Sequence, residues 1–136
     1  MGNVAIATLP SWTDIPIPNN LDNAVSMTIS GTNIEFTATK AGKYLIDVDF
    51  SAEVNGNGRT VVAMRLLSKP AAGTYAALSG TERLAYIRGS TNATSVSCSY
   101  LLTMAIGDSI KLQAGKRGDD MDTYTGGTSF RMQRLV

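Results

Sequence analysis

The chain has 136 residues, of which 43% are hydrophobic and 17% are charged, and its formal net charge is +1. This length and composition are typical of one globular domain and argue against a disordered chain. A charge so close to neutral gives no bulk attraction to nucleic acid or to an anionic membrane. The apolar runs are too short to cross a bilayer, and the N-terminus lacks the pattern of a signal peptide, so we expect no membrane insertion.

The chain contains no histidine and a single cysteine, Cys98. The absence of histidine removes the commonest general base and metal ligand, and with them any Ser–His–Asp triad. A lone cysteine cannot form a disulfide within the chain, and its place in an alternating run predicts a small core residue. We therefore expect no catalytic residues, no cofactor and no metal ion.

Residues 1–18 are predicted to form an arm or edge strand that precedes a domain spanning residues 19–136. Prolines at positions 10, 16 and 18 remove backbone donors and exclude a central strand. Trp12, Ile15 and Ile17 are the apolar side chains that would dock this segment. Two interpretations remain open: an arm that grips a partner, or the first strand of the domain's own sheet.

The clearest pattern in the chain runs over residues 42–54. Apolar residues occupy every second position from Tyr44 to Val54, and largely polar residues lie between them. Successive side chains of a strand point to opposite faces, so the pattern predicts a long central strand with one apolar face. Shorter alternating segments at 25–30 and 34–38 precede it.

Further strands are expected at 60–68, 82–88, 95–104, 109–113 and 128–135, separated by turns and by loops at 70–80 and 115–127. The strand at 60–68 is apolar on both faces, which suggests that its second face meets another subunit. Eight or nine strands, no helix and turns about every 8–12 residues are typical of a β-sandwich. The predicted fold is all-β, a two-sheet antiparallel jelly roll that covers its strand edges.

Three motifs occur in a recognisable order. Gly42-Lys43-Tyr44 opens the long strand, Leu102 to Leu112 contains a Gly107-Asp108 hairpin, and Ser129 to Leu135 closes the chain. Over residues 24–136 this order resembles the tumour-necrosis-factor and complement globular-head superfamily. The resemblance implies a ten-strand jelly roll that assembles as a homotrimer about a three-fold axis.

A subunit interface can be placed on the polar face of the long strand. Leu45 and Leu101 interrupt otherwise polar faces, as if these faces meet another copy. The family's arrangement would place the long strand beside the last strand, facing the axis. The candidate interface residues are Leu45, Asp47, Asp49, Glu53, Leu101, Arg131 and Arg134. The charges among them either pair within or across subunits or form a solvated face.

Two short motifs suggest other sites. Arg117-Gly118-Asp119 matches an integrin-type tripeptide, which often arises by chance. Asp119, Asp120 and Asp122 are possible oxygen ligands for calcium, although their spacing differs from an EF-hand loop. Asp47 and Asp49 share a strand face, but a carboxylate pair needs a cleft to hydrolyse a glycoside.

Members of this superfamily include animal ligands, spore-surface proteins and bacteriophage proteins. The serine-, threonine-, asparagine- and glycine-rich, histidine-free composition is typical of the phage branch. We therefore expect a non-enzymatic trimer that is made in the host cytoplasm, decorates a phage capsid at the virion surface and contacts the capsid shell protein. The alternative is a receptor-binding knob of a tail fibre, tail needle or head fibre, which would contact a host cell-surface receptor.

Overall fold

The structure is a computed structural model. It describes residues 5–9, 11–16, 27–29, 34–55, 59–88, 93–118 and 122–135. Within these ranges the chain forms strands and turns and no helix. The strands are β1 (Thr13–Asp14), β2 (Met27–Ile29), β3 (Phe36–Ala38), β4 (Gly42–Asn55), β5 (Arg59–Lys69), β6 (Ala76–Ala77), β7 (Arg83–Arg88), β8 (Ala93–Met104), β9 (Ser109–Gly118) and β10 (Asp122–Arg134).

The smaller sheet has three antiparallel strands in the order β10-β4-β8. β4 lies at its centre and pairs along nearly its whole length with both neighbours. Between Gly126 and Ser129 the register of β10 shifts, so β10 carries a bulge opposite β4. The long alternating segment of the sequence is therefore a central strand, as predicted.

The larger sheet has seven antiparallel strands. β9 pairs with β5 on one side, and with β3 and then β1 on the other. β5 pairs at its start with β7 and near its end with the short strand β6, while β2 extends the sheet beyond β3. The two sheets form the antiparallel β-sandwich that the sequence predicts.

The apolar side chains of both sheets form one hydrophobic core. β4 contributes Tyr44, Ile46, Val48, Phe50 and Ala52, each at most 2% exposed. The rings of Phe36 from the larger sheet and Phe130 from the smaller sheet stack with their centroids 4.8 Å apart. Cys98 is buried in the same core, as its position in an alternating run suggests, and burial raises the pKa of its thiol.

The predicted loop at 115–127 differs from the structure. β9 continues to Gly118 and β10 begins at Asp122, so most of this segment is strand. Glycine and aspartate disfavour strands, but the segment pairs with β5 on one side of the gap and with β4 on the other. Pairing with long partners therefore overrides the weak local preference. The two-residue strand β6 inside the predicted loop at 70–80 has the same origin.

Thr81 fixes the connection between β6 and β7 to the buried edge of β5. Its side chain is fully buried, accepts a hydrogen bond from the Leu66 N–H at 3.1 Å and donates one to the Leu78 carbonyl at 2.8 Å. A buried N–H without an acceptor loses its hydration without compensation. Thr81 therefore supplies a hydrogen-bond acceptor for the β5 backbone N–H at Leu66, where a loop and not a strand lies beside β5.

Replacing Thr81 by valine keeps the shape of the side chain and removes the hydroxyl. We expect Thr81→Val to lower the free energy of unfolding by about 1–3 kcal/mol, because the Leu66 N–H loses its acceptor. Urea denaturation followed by tryptophan fluorescence measures the change. Thr81→Ser is the control, since it retains the hydroxyl; equal losses for both variants would contradict the role of the hydrogen bond.

Candidate subunit interface

The smaller sheet has one face in the core and one face turned outward. We call the outward side chains the small-sheet face. They are Lys43, Leu45, Asp47, Asp49, Ser51 and Glu53 of β4, Ser95, Ser97, Ser99, Leu101 and Thr103 of β8, and Ser129, Arg131 and Gln133 of β10. Most of these side chains are exposed, and the core contacts of β4, β8 and β10 lie on the other side of the sheet.

The centre of the small-sheet face is an aspartate–serine ladder. Asp47 lies in register with Ser99, and Asp49 lies in register with Ser97. In each pair the serine hydroxyl donates to the aspartate Oδ1 across a distance of 2.5 Å. The two carboxylates are thereby held in fixed positions on a regular sheet. This arrangement presents a rigid acidic surface.

One end of the small-sheet face is apolar. Leu45 lies in register with Leu101 on one side and with Gln133 on the other. Leu101 is 55% exposed, although it lies within a long strand. Burial of such a side chain against a partner stabilises the contact by about 25 cal/mol per Å² of apolar surface. Because Leu45 and Leu101 lie side by side in neighbouring strands, they form a small apolar patch beside the acidic ladder.

Arg131 adds a positive charge to the same face. It lies opposite Asp47 in the register of β10 and β4. The two ion pairs of the described residues are elsewhere, between Lys69 and Glu35 and between Lys111 and Asp14. Arg131 is exposed and takes part in neither pair. Its guanidinium is thus available to a carboxylate of another molecule.

Arg134 is separated from the other candidate interface residues. It lies opposite Tyr44, so the alternation of β10 directs it to the side opposite Arg131. Its Nε donates to the carbonyl of Ala41 at 3.0 Å, at the end of the sandwich. The structure therefore brings six of the seven predicted residues to one face and places the seventh at its end. Ser97, Ser99 and Gln133 were not predicted, because only the register shows which residues lie beside Asp47, Asp49 and Leu45.

The N-terminal segment is part of the domain's own larger sheet. β1 pairs with β9, and the Ile15 N–H donates to the Leu112 carbonyl at 2.9 Å. Ile15 is fully buried in the core, so its side chain is not presented to a partner. Trp12 is half-buried, with the Arg65 guanidinium 4.1 Å from its ring centroid. Ile17, the third predicted docking residue, lies outside the described residues.

The N-terminal segment also covers the second apolar face of β5. Ala63 is 1% exposed and lies beside Gly115 of β9. Leu9 lies directly over Gly115, where any side chain at position 115 would overlap it. The apolar second face of β5 is therefore covered within the chain. The expectation that this face needs another subunit was wrong, because the sequence did not show where the N-terminal segment would lie.

The remainder of that outer surface is closed by polar contacts. Arg65 donates twice to the Gln113 side-chain oxygen, and Gln113 donates to Asp14 at 2.8 Å. Tyr75 donates to Glu35 at 2.6 Å and lies beneath the ammonium group of Lys111. Burial and the Glu35 carboxylate raise the pKa of the Tyr75 hydroxyl, which stays protonated. These contacts cover the part of the outer surface around β1, β9 and the end of β5, while Leu84 and Tyr86 of β7 stay exposed.

The structure does not describe the side chains of the aspartates in the other two sequence motifs. Asp119 and Asp120 lie outside the described residues, and of Asp122 only the backbone is described. Among the described residues no group of three or more metal-ligating side chains occurs. No helix in the described ranges is long and apolar enough to span a membrane.

Comparison with known proteins identifies the fold. No protein-family model matches the sequence, and no curated protein matches it. The globular domain of a zebrafish complement 1qA protein has a similar structure, with a TM-score of 0.65 and 16% identity over 100% of this chain and 92% of that one. The Eiger TNF from S. frugiperda superposes with a TM-score of 0.57 and 11% identity, over 97% of this chain and 90% of that one. The chain is thus an antiparallel two-sheet jelly roll, and its fold is similar to that of these two proteins.

Proposed function

We propose that the chain is a non-enzymatic structural protein that assembles as a homotrimer through the small-sheet face. The observation that carries this proposal is the uncovered face itself. It combines an exposed leucine patch, a fixed acidic ladder and an arginine without an ion-pair partner within the described chain. Part of the outer face of the larger sheet is already covered by the chain's own N-terminal segment.

A closed ring of three copies needs two different surfaces on each copy. β7 offers the second surface. Among the described strands it pairs with β5 alone, so its other edge carries unpaired backbone groups. Leu84 and Tyr86 project from β7 and are 54% and 53% exposed. In the proposed trimer this edge packs against the small-sheet face of the next copy, which covers both the edge and the apolar side chains.

The geometry of the aspartates supports a structural role over a hydrolytic one. Asp47 and Asp49 lie on a continuous sheet and each accepts a hydrogen bond from a serine. Carboxylates that share a glycosidase site instead flank a substrate in a cleft, with environments that differ enough to separate their pKa values. We therefore assign the two aspartates to assembly.

We further propose that the trimer decorates a bacteriophage capsid at the virion surface and contacts the capsid shell protein. The histidine-free composition, rich in small polar residues, supports this assignment by association. The folding of residues 5–9 and 11–16 onto the larger sheet gives a compact body suited to a plug on a shell. A receptor-binding knob of a fibre or needle is the competing assignment, and the position of the protein on the particle separates the two.

Leu101→Asp tests the trimer. The substitution places an unpaired carboxylate in the apolar patch beside the acidic ladder, and we expect it to convert the trimer to monomer. Native mass spectrometry measures the oligomeric state. Ile106→Asp is the control, because Ile106 is 66% exposed and lies outside the small-sheet face. A wild-type chain that stays monomeric at every concentration, or a Leu101→Asp variant that stays trimeric, would contradict the proposal.

Asp49→Ala tests the charges of the acidic ladder. If Asp49 meets a cation of the neighbouring copy, its loss weakens trimer association by about 2–5 kcal/mol. Sedimentation velocity over a dilution series measures the association constant. Asp49→Asn should weaken the trimer as well, since it removes the charge and retains an oxygen for Ser97.

Glu82→Ala is the matched control, because Glu82 is also an exposed acid but lies outside the small-sheet face. If Asp49→Ala and Glu82→Ala leave the association constant equally unchanged, the carboxylate is merely solvated.

Shells prepared from phage that lack this gene test the decoration. We expect the purified trimer to bind these shells at symmetric surface positions, because a decoration protein docks on repeated shell subunits. Electron cryomicroscopy of the reconstituted particles shows where it sits. Density confined to a fibre or needle tip would overturn decoration in favour of the receptor-binding knob.

A further inference from the structure

One end of the sandwich is built around the tight turn between β8 and β9. The Asp108 N–H donates to the Ala105 carbonyl at 3.1 Å, and the Asp108 carboxylate accepts from the Ala105 N–H at 2.9 Å. Gly107 has φ = 88°, a conformation that glycine adopts without strain. Gly107 also donates to the Ala38 carbonyl at 2.8 Å. The turn is therefore held rigidly at this end, which we call the hairpin end.

The hairpin end carries the most exposed large apolar side chain of the described residues. Ile106, at the tip of the turn, is 66% exposed. Ala71 lies against Gly107 of the turn, and the exposed Ala41 immediately precedes Gly42, which pairs with Met104. Exposed apolar side chains therefore lie on the turn and on the chain segments next to it, and together they form the apolar surface of the hairpin end.

Three cations border this apolar surface. Lys40 and Lys43 flank the start of β4 and are exposed, and the exposed Arg134 reaches the carbonyl of Ala41 between them. None of the three takes part in the ion pairs found among the described residues. Asp108, the acid of the turn itself, accepts a hydrogen bond from the Ala105 N–H. The hairpin end thus has an apolar centre and carries three exposed cations against the one carboxylate of Asp108.

We infer that the hairpin end is the surface that docks on the shell, and that its partner is an acidic protein surface with an apolar recess for Ile106. This inference rests on the proposed capsid decoration and names the docking end and the chemistry of its partner. Positive charge opposite negative charge steers association and fixes orientation, while the buried isoleucine supplies apolar contact. In a trimer, the same end is presented three times around the axis.

The chemistry favours a protein over a membrane as the partner. A rigid turn that presents one isoleucine fits a shaped recess. A lipid surface offers no recess of fixed shape, so the fixed geometry of the turn would add nothing there.

The double variant Lys40→Glu/Ile106→Ser tests the inference on gene-deleted shells. Both side chains are exposed, and neither belongs to the small-sheet face, so we expect the variant to remain a trimer. We expect its affinity for the shells to fall about tenfold or more, measured by cosedimentation at low ionic strength. Native mass spectrometry of the same samples confirms that the oligomeric state is unchanged.

Two matched variants serve as controls. Arg117→Glu reverses an exposed charge at the far end of β9, and Ile106→Val keeps an apolar side chain on the turn. Both should bind shells like the wild type. Vesicles of phosphatidylcholine and phosphatidylserine in equal parts provide the lipid probe.

Each outcome decides the inference. Loss of shell binding in the double variant alone supports it. Equal shell binding by the double variant and the wild type overturns it and leaves the decoration proposal in place. Failure of the wild-type trimer to bind shells overturns both proposals. Vesicle binding that is lost in the double variant, with shell binding unchanged, overturns it in favour of a membrane partner.

Discussion

The alternation of side chains along Gly42–Asn55 is the constraint on which the rest of the structure depends. Because one side of this strand is apolar throughout, it fixes which face of the smaller sheet enters the core. A slip of one residue in its pairing would bury Asp47 and Asp49 and expose Tyr44 and Ile46. The same alternation therefore creates the core and the polar face opposite it. Core and candidate interface are two consequences of one pattern.

The outward faces of the two sheets differ in how far the chain itself covers them. The N-terminal segment and polar contacts that include the Lys111–Asp14 ion pair cover part of the outer surface of the larger sheet, where Leu84 and Tyr86 stay exposed. The smaller sheet leaves its outer face open, with serine-bonded carboxylates and an exposed leucine. Both faces belong to one chain, so its sequence determines which outward face is covered and which stays open. An uncovered face with its own apolar patch is the feature that a second copy would satisfy.

The sequence predicted the fold class and the long central strand because strict alternation over many positions is a strong signal. It also located the turn at Gly107 and Asp108, where the glycine has a positive φ. It missed the strand character of 115–118 and 122–127, because pairing across a sheet is not visible in local composition. The prediction grouped Arg134 with Arg131 because both lie on the last strand, but the two residues are three positions apart and strand alternation directs them to opposite sides.

The position of the N-terminal segment could not be predicted from the sequence either. Proline content indicated an edge strand or an arm, and only tertiary contacts distinguish the two. Ile15 donates a backbone hydrogen bond to Leu112, and Leu9 lies over Gly115. In both contacts the partner is about a hundred positions away in the sequence. No local pattern encodes such a contact. Strand periodicity alone places the four candidate interface residues of β4 on one face, whereas the residues beside them on β8 and β10 follow only from the register.

The aspartate–serine ladder has a consequence for the cost of association. A side chain that becomes fixed on binding loses rotamer freedom, which opposes the complex by about 0.5–1.5 kcal/mol for each flexible group. Asp47 and Asp49 are already held by Ser99 and Ser97 before any partner arrives. The entropy of ordering them is lost during folding of the single chain. In the proposed trimer, encounter with a second copy would then begin from a preorganised surface, and more of the contact energy would remain as affinity.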